Sequence, residues 1–597
     1  MYQQTIAPAG PALIDIDPPL HERRLVVKVT DFGATTDAEM CNGQAFRNAI
    51  EYCRKQNATH LIVPQGVYYF RSGVHLEFEQ LSDFVFDGQG SEFIFATVKP
   101  FISIRQCERI VLKHFIVDWD WEQAPLARIG KIVHVEGDYS YFDVLFPEYD
   151  KVPEEMEVRG FNPVNPYMLS PGYAGGVEFG AACMKGQRKL NANTMRFFTR
   201  DSAEMDFLKE GQCYIVRHYI YDAHGFSMQN NAHLSLEQIT VYSCPGHAFL
   251  AQGSQHHWQI IDCKIKKRPG TTRCISATAD GCHISNSKGF FRMENCDFSY
   301  NGDDCLNIHD NSASGLIPIS SHTLKVGNVR EDRNPFAPGD PLEFRNSDLS
   351  PMNLTLEVAE AVWDRDKQEC RLTFSEKLPE SLPADTILFN RQYDSGNYIV
   401  RNNFFHHNRA RGILVHASNG LIEDNHFYMN QGSAMRLECG VEQRWAEGFG
   451  MDNVIIRNNL IENCDVNHWH MSVIYLGVYL SKGRTNYPVF TNICFEHNTI
   501  VDCPQQALYL SSCRHVAVRN NAIVNPNAVA IKTDADRNDG NRVRQRYLYK
   551  GTIMASHCDQ VYIYNNQRLE TVDTSDNGIY IEEGTASNIA SWNNKGF

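Results

Sequence analysis

Three aspartates in two short motifs are the residues of this sequence best suited to acid–base chemistry. Asp280 lies in Thr278-Ala-Asp-Gly-Cys-His-Ile284, and Asp303 and Asp304 lie in Asn301-Gly-Asp-Asp-Cys-Leu-Asn-Ile-His309. Asp280 and Asp303 are 23 residues apart. This is one period of the repeat described below, so we predict that they stack on neighbouring rungs with Asp304 beside them. Carboxylates so close raise at least one another's pKa, and a protonated acid beside an ionised base is what glycoside hydrolysis requires.

The alternative interpretation is turn chemistry, since Gly-Asp and Asp-Gly are common turn dipeptides and a lone Asp-Asp pair is often only solvated. Two features favour a site instead. One is the one-period spacing to Asp280, and the other is the alternation of Asn307 and His309 after the pair.

A second group of polar residues is expected on the same face and could bind sugar hydroxyls. For each of them a purely structural role, such as an ion pair or loop packing, remains an alternative. The group consists of Arg273, His283, Asn307, His309, Arg409, Arg411, Glu438, Trp445 and Glu447. We predict no metal site, because the histidine pairs lack acidic partners or helical spacing.

A six-residue pattern recurs along the chain and defines the elements that must position these residues. It reads apolar, any, Asn/Asp/His, Asn/Cys, any, Phe/Ile/Leu. Copies include Ile260-Ile-Asp-Cys-Lys-Ile265, Val400-Arg-Asn-Asn-Phe-Phe405 and Val518-Arg-Asn-Asn-Ala-Ile523. The cleanest spacings are 22–24 residues. Short β-rich segments at this period predict a right-handed parallel β-helix, with inward Asn and Cys forming ladders between coils.

Two intervals exceed the period by about 100 and about 84 residues and contain hairpin-like segments. We therefore predict two inserted small β-barrels. The predicted units are 1–123 (N-terminal cap and first coils), 124–218 (first barrel), 219–312 (coils with the aspartates), 313–396 (second barrel) and 397–597 (C-terminal coils). Phe46, Ala49, Ile50 and Cys53 have helical spacing, which predicts a helix capping the open end of the first coil. The fold class is thus all-β.

Composition excludes several classes of function. The chain has 597 residues and a net charge of −15, from 71 acidic and 56 basic residues, which disfavours nucleic-acid binding. No apolar stretch is long enough for a membrane span. The start has no signal-peptide pattern. We expect a cytoplasmic protein if Met1 is the native start, and otherwise an exported protein whose signal has been removed. The 18 cysteines lack Cys-x-x-Cys spacing, so we expect reduced core thiols.

The Asp31-Phe-Gly-Ala34 start, the coil pattern and the Asp-Asp motif resemble the pectate-lyase-like β-helix superfamily. Within it, the motifs around Asp280 and Asp303-Asp304, together with two inserted barrels, resemble glycoside hydrolase family 110 over about residues 25 to 570. The resemblance implies an exo-acting, inverting α-1,3-galactosidase that releases terminal galactose from blood-group-B-like or linear Gal-α-1,3-Gal glycans. It also implies that Asp280, Asp303 and Asp304 are the catalytic aspartates.

For an inverting enzyme we expect acid and base carboxyls about 6.5–9.5 Å apart. Either Asp303 or Asp304 would be the acid, the other acting with Asp280 as base. The expected partner is a carbohydrate with terminal α-galactose; no cofactor, nucleic acid or membrane is expected, and a homodimer is left open. The alternatives are a polygalacturonase-like hydrolase, a polysaccharide lyase or a non-catalytic glycan-binding β-helix.

Overall fold

The computed structural model describes residues 6–21, 24–73, 75–164, 177–441, 446–466, 472–480, 483–504, 506–526, 551–570 and 578–597. They form a right-handed parallel β-helix with two inserted antiparallel sheets, which confirms the predicted fold class. Each coil contributes one strand to each of three parallel sheets, here called sheets A, B and C, and the chain runs from C to A to B in every coil.

The strands of the β-helix are short, and several long ones bend from one sheet into the next. Sheet A contains Val26–Lys28, His60–Ile62, Ser82–Phe95, Glu108–Trp119, Ala232–Val241, His256–Ile261, Phe291–Glu294, Tyr398–Arg401, Gly420–Glu423, Met451–Arg457, Phe490–Glu496, Gln506–Arg519, Ile553–Tyr564 and Ala590–Trp592. Sheet B contains Val67–Phe70, Lys264–Ile265, Asp297–Ser299, Phe404–His406, His426–Tyr428, Leu460–Glu462, Thr499–Val501, Ala522–Val524 and Gln567–Leu569, with the second halves of Ser82–Phe95, Glu108–Trp119 and Ala232–Val241. Sheet C contains Leu76–Glu79, Ile102–Arg105, Phe226–Gln229, Phe249–Gln252, Cys282–Ser285, Leu306–His309, Ile413–Val415, Met435–Val441, Ser472–Leu480 and Ile579–Ile581, with the first halves of Gln506–Arg519 and Ile553–Tyr564.

The repeated sequence pattern is explained by the corner between sheets A and B. Its third residue adopts the left-handed backbone conformation, as at Asp262, Asn402 and Asn458, where φ is 54–56°. Asn and Asp tolerate this conformation better than most residues. The fourth residue of the pattern then points into the core, as Cys263 and Asn403 do.

The inward asparagines form a continuous ladder, here called the amide ladder, of Asn403, Asn425, Asn459, Asn498, Asn521, Asn566 and Asn594. In each step the backbone N–H and the side-chain Nδ2 of one coil donate to Oδ1 of the next coil, as from Asn425 to Asn459 at 3.0 Å each. Nδ2 also donates to a carbonyl of the preceding coil, such as Val400 O. The side-chain amides of the ladder therefore have hydrogen-bond partners for both oxygen and nitrogen, and the row contains no charge.

The N-terminal end of the β-helix is covered by the one α-helix of the described residues, Gly43–Gln56. Phe46, Ala49, Ile50 and Cys53 are buried on its inner face, as their spacing predicted. The short 3-10 helices are Val29–Phe32, Ala181–Cys183 and Ser202–Met205. In the described part of the chain, no helix has the length and apolar character that crossing a membrane would need.

Each insertion is a seven-stranded antiparallel sheet around its own hydrophobic core. The first contains Ala127–Val135, Tyr141–Leu145, Gly160–Pro163, Phe179–Gly180, Met184–Lys189, Thr194–Thr199 and Cys213–Arg217. The second contains Ser312–Ala313, Leu316–Pro318, Thr323–Gly327, Pro341–Arg345, Pro351–Asp364, Glu369–Phe374 and Ile387–Asn390. The first interrupts the chain between two coils, and the second lies within a coil, between its sheet C and sheet A strands. In both places the strands of the flanking coils pair directly.

All 18 cysteines are unpaired thiols, and all but Cys41 and Cys183 are buried. Cys263 and Cys296 occupy positions in the core that asparagines occupy in later coils; the amide of Cys296 donates to Asn403 Oδ1 at 2.9 Å and so extends the ladder. These cysteines fill the core as small apolar side chains.

Candidate active site

Four residues at the start of sheet C strands occupy the same position on four successive coils. The strand pairs Phe249↔Cys282, Cys282↔Leu306 and Leu306↔Ile413 place His247, Asp280, Asp304 and Arg411 in one row, two residues before each strand. We call this the charged row. Asp304, rather than Asp303, therefore stacks on Asp280. The prediction of Asp303 in this position is wrong because the coil between the two motifs has 24 residues, not 23.

The charged row is held together by backbone amides that donate to side chains of the preceding coil. The amide of Asp280 donates to His247 Nδ1 at 3.2 Å, that of Asp304 to Asp280 Oδ1 at 3.1 Å, and that of Arg411 to Asp304 Oδ1 at 3.0 Å. Asp280 and Asp304 thus each accept a backbone amide at Oδ1, and Oδ2 of each contacts a side chain.

Asp304 is the most buried of the three aspartates, with 1% of its side chain exposed. Its Oδ2 accepts a hydrogen bond from Arg411 Nη2 at 2.8 Å. Burial raises the pKa of Asp304 well above its usual range, with the neighbouring charges of Asp303 and Asp280 adding to the effect and Arg411 opposing it.

Asp303 lies beside the row in the turn between Asp297–Ser299 and Leu306–His309, and 20% of its side chain is exposed. Tyr221 donates its hydroxyl proton to Asp303 Oδ2 at 2.7 Å, and Arg409 Nη1 lies 3.4 Å from Oδ1. Burial would raise the pKa of Asp303, but Arg409, Arg411, Tyr221 and Arg217 outweigh it and hold this pKa below its usual value.

Arg409 is held by hydrogen bonds to the first insertion, and Tyr221 lies on the segment that follows this insertion. Glu178 accepts two hydrogen bonds from Arg409 Nη2 at 2.5 and 2.6 Å, and Arg217 Nη2 lies 3.6 Å from Glu178. Arg217 also donates to Gly302 O at 3.3 Å. The first insertion therefore lies directly against the turn that carries Asp303.

Asp280 is 5% exposed at its side chain, and its Oδ2 is 2.6 Å from Nδ1 of His283. Burial raises the pKa of Asp280 well above its usual range, and the charge of Asp303 raises it further. One carboxylate oxygen from each of the three aspartates lies within 4.8 Å of the other two. This is shorter than the separation of about 6.5–9.5 Å expected between a lone acid and base in an inverting enzyme.

Three further predicted residues lie next to Asp280 on the outer side of sheet C. His309 Nε2 is 3.1 Å from His283 Nε2, and Asn307 is on the rung next to His283. Glu447 lies 3.9 Å from His309 and 3.5 Å from His416.

Arg273 and Glu438 form their described hydrogen bonds with residues other than the three aspartates. Arg273 donates from Nη1 to both oxygens of Asp118 at 2.8 and 2.7 Å and lies over the Trp121 ring. Glu438 accepts hydrogen bonds from Arg436 at 2.9 and 2.5 Å. Trp445 lies outside the described residues.

The sequence did not single out His247, Tyr221, Glu178 and Arg217. His247 could have been found, because it precedes Asp280 by the same 33 residues that separate Cys263 from Cys296 in the repeat. Tyr221, Glu178 and Arg217 belong to or follow the first insertion, where no periodicity relates them to a coil.

Imidazole and carboxylate atoms of His247, Asp280 and His283 also lie within 4.8 Å of one another, a spacing compatible with a cation. Both oxygens of Asp280 are already engaged, by the Asp304 amide and by His283. Arg411 supplies a positive charge to Asp304. We therefore assign none of these residues as a metal ligand and interpret the site as one for acid–base chemistry.

The chain is similar to several known proteins. The family profile "Right handed beta helix region" matches residues 383–523. "Alpha-1,3-galactosidase A" of Shewanella woodyi is 24% identical over 531 residues, covering 83% of this chain and 86% of that protein. "Alpha-1,3-galactosidase B" of Bacteroides thetaiotaomicron is 23% identical over 590 residues, covering 91% of each. A solved exopolygalacturonase from Thermotoga maritima has a TM-score of 0.44 at 13% identity, covering 86% of this chain and 89% of that one.

Proposed function

Because the chain is related over most of its length to glycosidases, we propose that it is an exo-acting hydrolase that releases terminal α-1,3-linked galactose from oligosaccharides or glycans. The observation that carries the proposal is the cluster of Asp280, Asp303 and Asp304, in which one carboxylate oxygen from each lies within 4.8 Å of the other two. The proposed sugar and linkage are based on the names of the relatives, and the proposed acid–base chemistry is based on the cluster.

The free site contains both protonation states that hydrolysis needs. Burial and mutual repulsion favour a proton on the stacked pair Asp280–Asp304, whereas the arginines and Tyr221 favour ionised Asp303. We assign one of the two roles, acid or base, to Asp303 and the other role to the stacked pair Asp280–Asp304. The three carboxyls interact, so the apparent pKa values of the site belong to the cluster rather than to any one of them.

Inversion is the stereochemistry that we propose for this site. With three carboxylates, the stacked pair can hold the attacking water while Asp303 protonates the glycosidic oxygen. Alternatively, Asp303 can hold the water while the stacked pair protonates the glycosidic oxygen. A short distance between the closest oxygens is compatible with such an arrangement, since the water is shared rather than inserted between a single acid and a single base.

The exo-acting mode is supported by the position of the first insertion. Tyr221, Glu178 and Arg217 reach the turn of Asp303 and close one side of the site. A closed side accommodates the end of a glycan more readily than its middle. Of the residues predicted to bind sugar, Asn307, Arg409, Arg411 and Glu447 are proposed as its ligands, and Trp445, Arg273 and Glu438 remain predictions; His283 and His309 contact Asp280 and each other instead.

The test is the release of galactose from a matched set of substrates. We expect wild-type protein to release galactose from Gal-α-1,3-Gal and from the blood-group-B trisaccharide, and to act far more slowly on α-1,4- and α-1,6-linked galactosides. Activity on polygalacturonate instead would support a polygalacturonase-like hydrolase. Binding of the α-galactosides without any release would support the non-catalytic alternative.

The roles within the triad can be separated with an activated substrate. Replacing the acid by Ala should spare hydrolysis of an aryl α-galactoside with a good leaving group, whereas replacing the base should not, and azide should restore turnover only to the base variant. If Asp303 is the base, Asp303→Ala should behave as the base variant, and Asp280→Ala and Asp304→Ala should both behave as acid variants. If Asp303 is the acid, the two behaviours should be exchanged. Identical behaviour of all three variants would contradict this division of roles.

A further inference from the structure

Two histidines behind Asp280 form a linear chain of hydrogen-bonding nitrogens. Oδ2 of Asp280 is 2.6 Å from His283 Nδ1, and the other ring nitrogen of His283 is 3.1 Å from His309 Nε2. His283 and His309 lie on neighbouring coils, on the outer side of sheet C. The second nitrogen of His309, Nδ1, is buried and meets no hydrogen-bond partner among the described residues.

The two facing Nε2 atoms impose an order on the protons. A hydrogen bond between two imidazole nitrogens needs a proton on one of them and a lone pair on the other. A neutral imidazole carries only one proton, so a proton on Nδ1 of His283 leaves its Nε2 bare and requires His309 to be protonated on Nε2. The hydrogen-bonding state of Asp280 therefore fixes the tautomers of both rings.

Both rings are neutral in this environment. Burial lowers the pKa of His283, although the Glu447 and Asp304 charges oppose the effect. Burial also lowers the pKa of His309 well below its usual value, and His283 contributes to the decrease.

Several other titratable or charged groups surround the pair. His247 on the preceding coil has its ring centroid 4.6 Å from that of His283, and Glu447 lies 3.9 Å from His309. The groups that act on the pair are His247, Asp280, Asp303, Asp304, Arg333, Asp310, His416 and Glu447. His416 is oriented by donating from Nδ1 to Glu438 O. Its bare Nε2 faces Glu447 rather than the pair.

We propose that His283 and His309 form a two-histidine proton relay behind Asp280, in which protonation of the carboxyl reverses both hydrogen bonds. The proposal rests on the proposed hydrolase function. With Asp280 ionised, His283 Nδ1–H donates to Oδ2, and His309 Nε2–H donates to His283 Nε2. When a water molecule donates a proton to His309 Nδ1, the Nε2 proton of His309 moves to His283 Nε2, and the Nδ1 proton of His283 moves to Oδ2. The reverse sequence removes one proton from Asp280 and returns one from His309 Nδ1 to water.

The relay makes His283 and His309 positioning residues for Asp280 rather than ligands of the sugar. It couples the protonation state of the nearly buried Asp280 carboxyl to that of His309 Nδ1. It also explains why a histidine pair, and not a single hydrogen-bond donor, lies behind this carboxyl.

Neutron diffraction of deuterium-exchanged crystals reads the proton order without using activity. In the Asp280→Asn variant, Oδ1 should keep its hydrogen bond from the Asp304 amide, which turns the Nδ2 group toward His283 Nδ1. This mimics the protonated carboxyl. The relay predicts deuterium on His283 Nε2 and His309 Nδ1 in the variant, and on His283 Nδ1 and His309 Nε2 in wild-type crystals at a pH where Asp280 is ionised. The same tautomers in both crystals would overturn the proposal.

Kinetics of His283→Asn provide a second readout, because the Asn amide can replace the Nδ1–H donor but cannot pass a proton on. The relay predicts that kcat falls by about tenfold or more, that KM stays within about twofold, and that the pH dependence of kcat changes. His224→Asn is the matched control, since His224 is stacked on His247 but contacts none of the three aspartates among the described residues. Wild-type kcat and an unchanged pH profile in His283→Asn would overturn the relay. Absence of galactose release by wild-type protein would contradict the proposed function instead, and the neutron comparison would still decide the relay.

Discussion

The amide ladder and the charged row are two single-file rows of side chains in the same β-helix, and they use hydrogen bonds in opposite ways. In the ladder, each backbone amide donates forward to the next coil, and each Asn uses both its oxygen and its nitrogen inside the row. In the charged row, each amide donates back to the preceding coil. Asp280 and Asp304 each accept that amide at Oδ1 and use Oδ2 for a side chain, His283 and Arg411 respectively. One repeat thus builds a satisfied structural element or a reactive one, depending on whether the rung carries an amide or a carboxylate.

The largest expected effect comes from turning a rung of the charged row into a rung like those of the ladder. Asp304→Asn keeps the size of the side chain but removes its charge and its proton chemistry. We expect turnover of Gal-α-1,3-Gal to fall by about 100- to 10,000-fold with little change in the unfolding midpoint. Steady-state kinetics and chemical denaturation of the same preparation check this. Turnover near the wild-type rate would remove Asp304 from the mechanism.

The converse change breaks the ladder and should affect stability rather than chemistry. Asn459→Leu removes the acceptor of the backbone and side-chain N–H groups of Asn425, and it removes the side-chain donor to Ile422 O and Asn498 Oδ1, which keeps only the backbone N–H of residue 459. We expect a loss of about 3 kcal/mol in the free energy of unfolding, measured by denaturant titration, with kcat of the folded protein near wild type.

The matched control is Asn594→Leu at the last position of the ladder, where solvent reaches the side chain. It should cost about 1 kcal/mol or less. Equal losses at Asn459 and Asn594 would contradict the role assigned to burial in the ladder.

Asp310 lies one residue beyond the strand Leu306–His309, and it offers a pH test of a buried carboxyl outside the charged row. Ser395 donates to it from N at 3.0 Å and from Oγ at 2.7 Å, yet burial raises its pKa to about 6 from 3.8. Because the folded state binds this proton more tightly than the unfolded state, the contribution to stability is present at low pH and is lost as pH rises through 6.

Asp310→Asn should remove this dependence. Wild-type protein should gain about 1 kcal/mol more than the variant between pH 7 and pH 5, measured by denaturant titration at both values. Parallel stability curves for the two proteins would show that Asp310 does not retain its proton in the folded state.

The smallest effect is expected where the first insertion meets the site. Tyr221→Phe removes the hydrogen bond to Asp303 Oδ2, which should raise the pKa of Asp303 modestly. We expect kcat/KM to fall by about fivefold and the limb of its pH profile that reports Asp303 to move toward higher pH, which is the acidic limb if Asp303 is the base and the basic limb if it is the acid. Tyr219→Phe, on the same segment but outside contact with Asp303, is the control. A loss as large as that of Asp304→Asn would indicate that Tyr221 takes part in the chemistry directly.

Much of the fold followed from the sequence because a β-helix repeats its corner chemistry in every coil. The left-handed residue and the inward Asn that follows it, as at Asn402 and Asn403, are visible as a pattern. The same offset links Asp304 to Arg411, since both the ladder and the charged row advance 107 residues across the second insertion.

Other features of the site could not be predicted from periodicity. Whether Asp303 or Asp304 stacks on Asp280 depends on a single residue of coil length, and spacings of 22–24 do not determine it. Glu178, Arg217 and Tyr221 reach Asp303 from the first insertion or the segment that leaves it, and their approach depends on how that sheet packs against the coils. The ion pair between Arg273 and Asp118 is likewise a tertiary contact that no local sequence pattern predicts.

The most direct test of the central claim is the time course of galactose anomers released from Gal-α-1,3-Gal, followed by proton NMR immediately after mixing. The account predicts that wild-type protein produces β-galactose first, with the α-anomer appearing only by mutarotation, and that Asp304→Asn at the same concentration produces neither over that interval. Initial release of α-galactose would contradict inversion, and the absence of galactose from wild-type reactions would contradict the assignment of the charged row as a hydrolytic site.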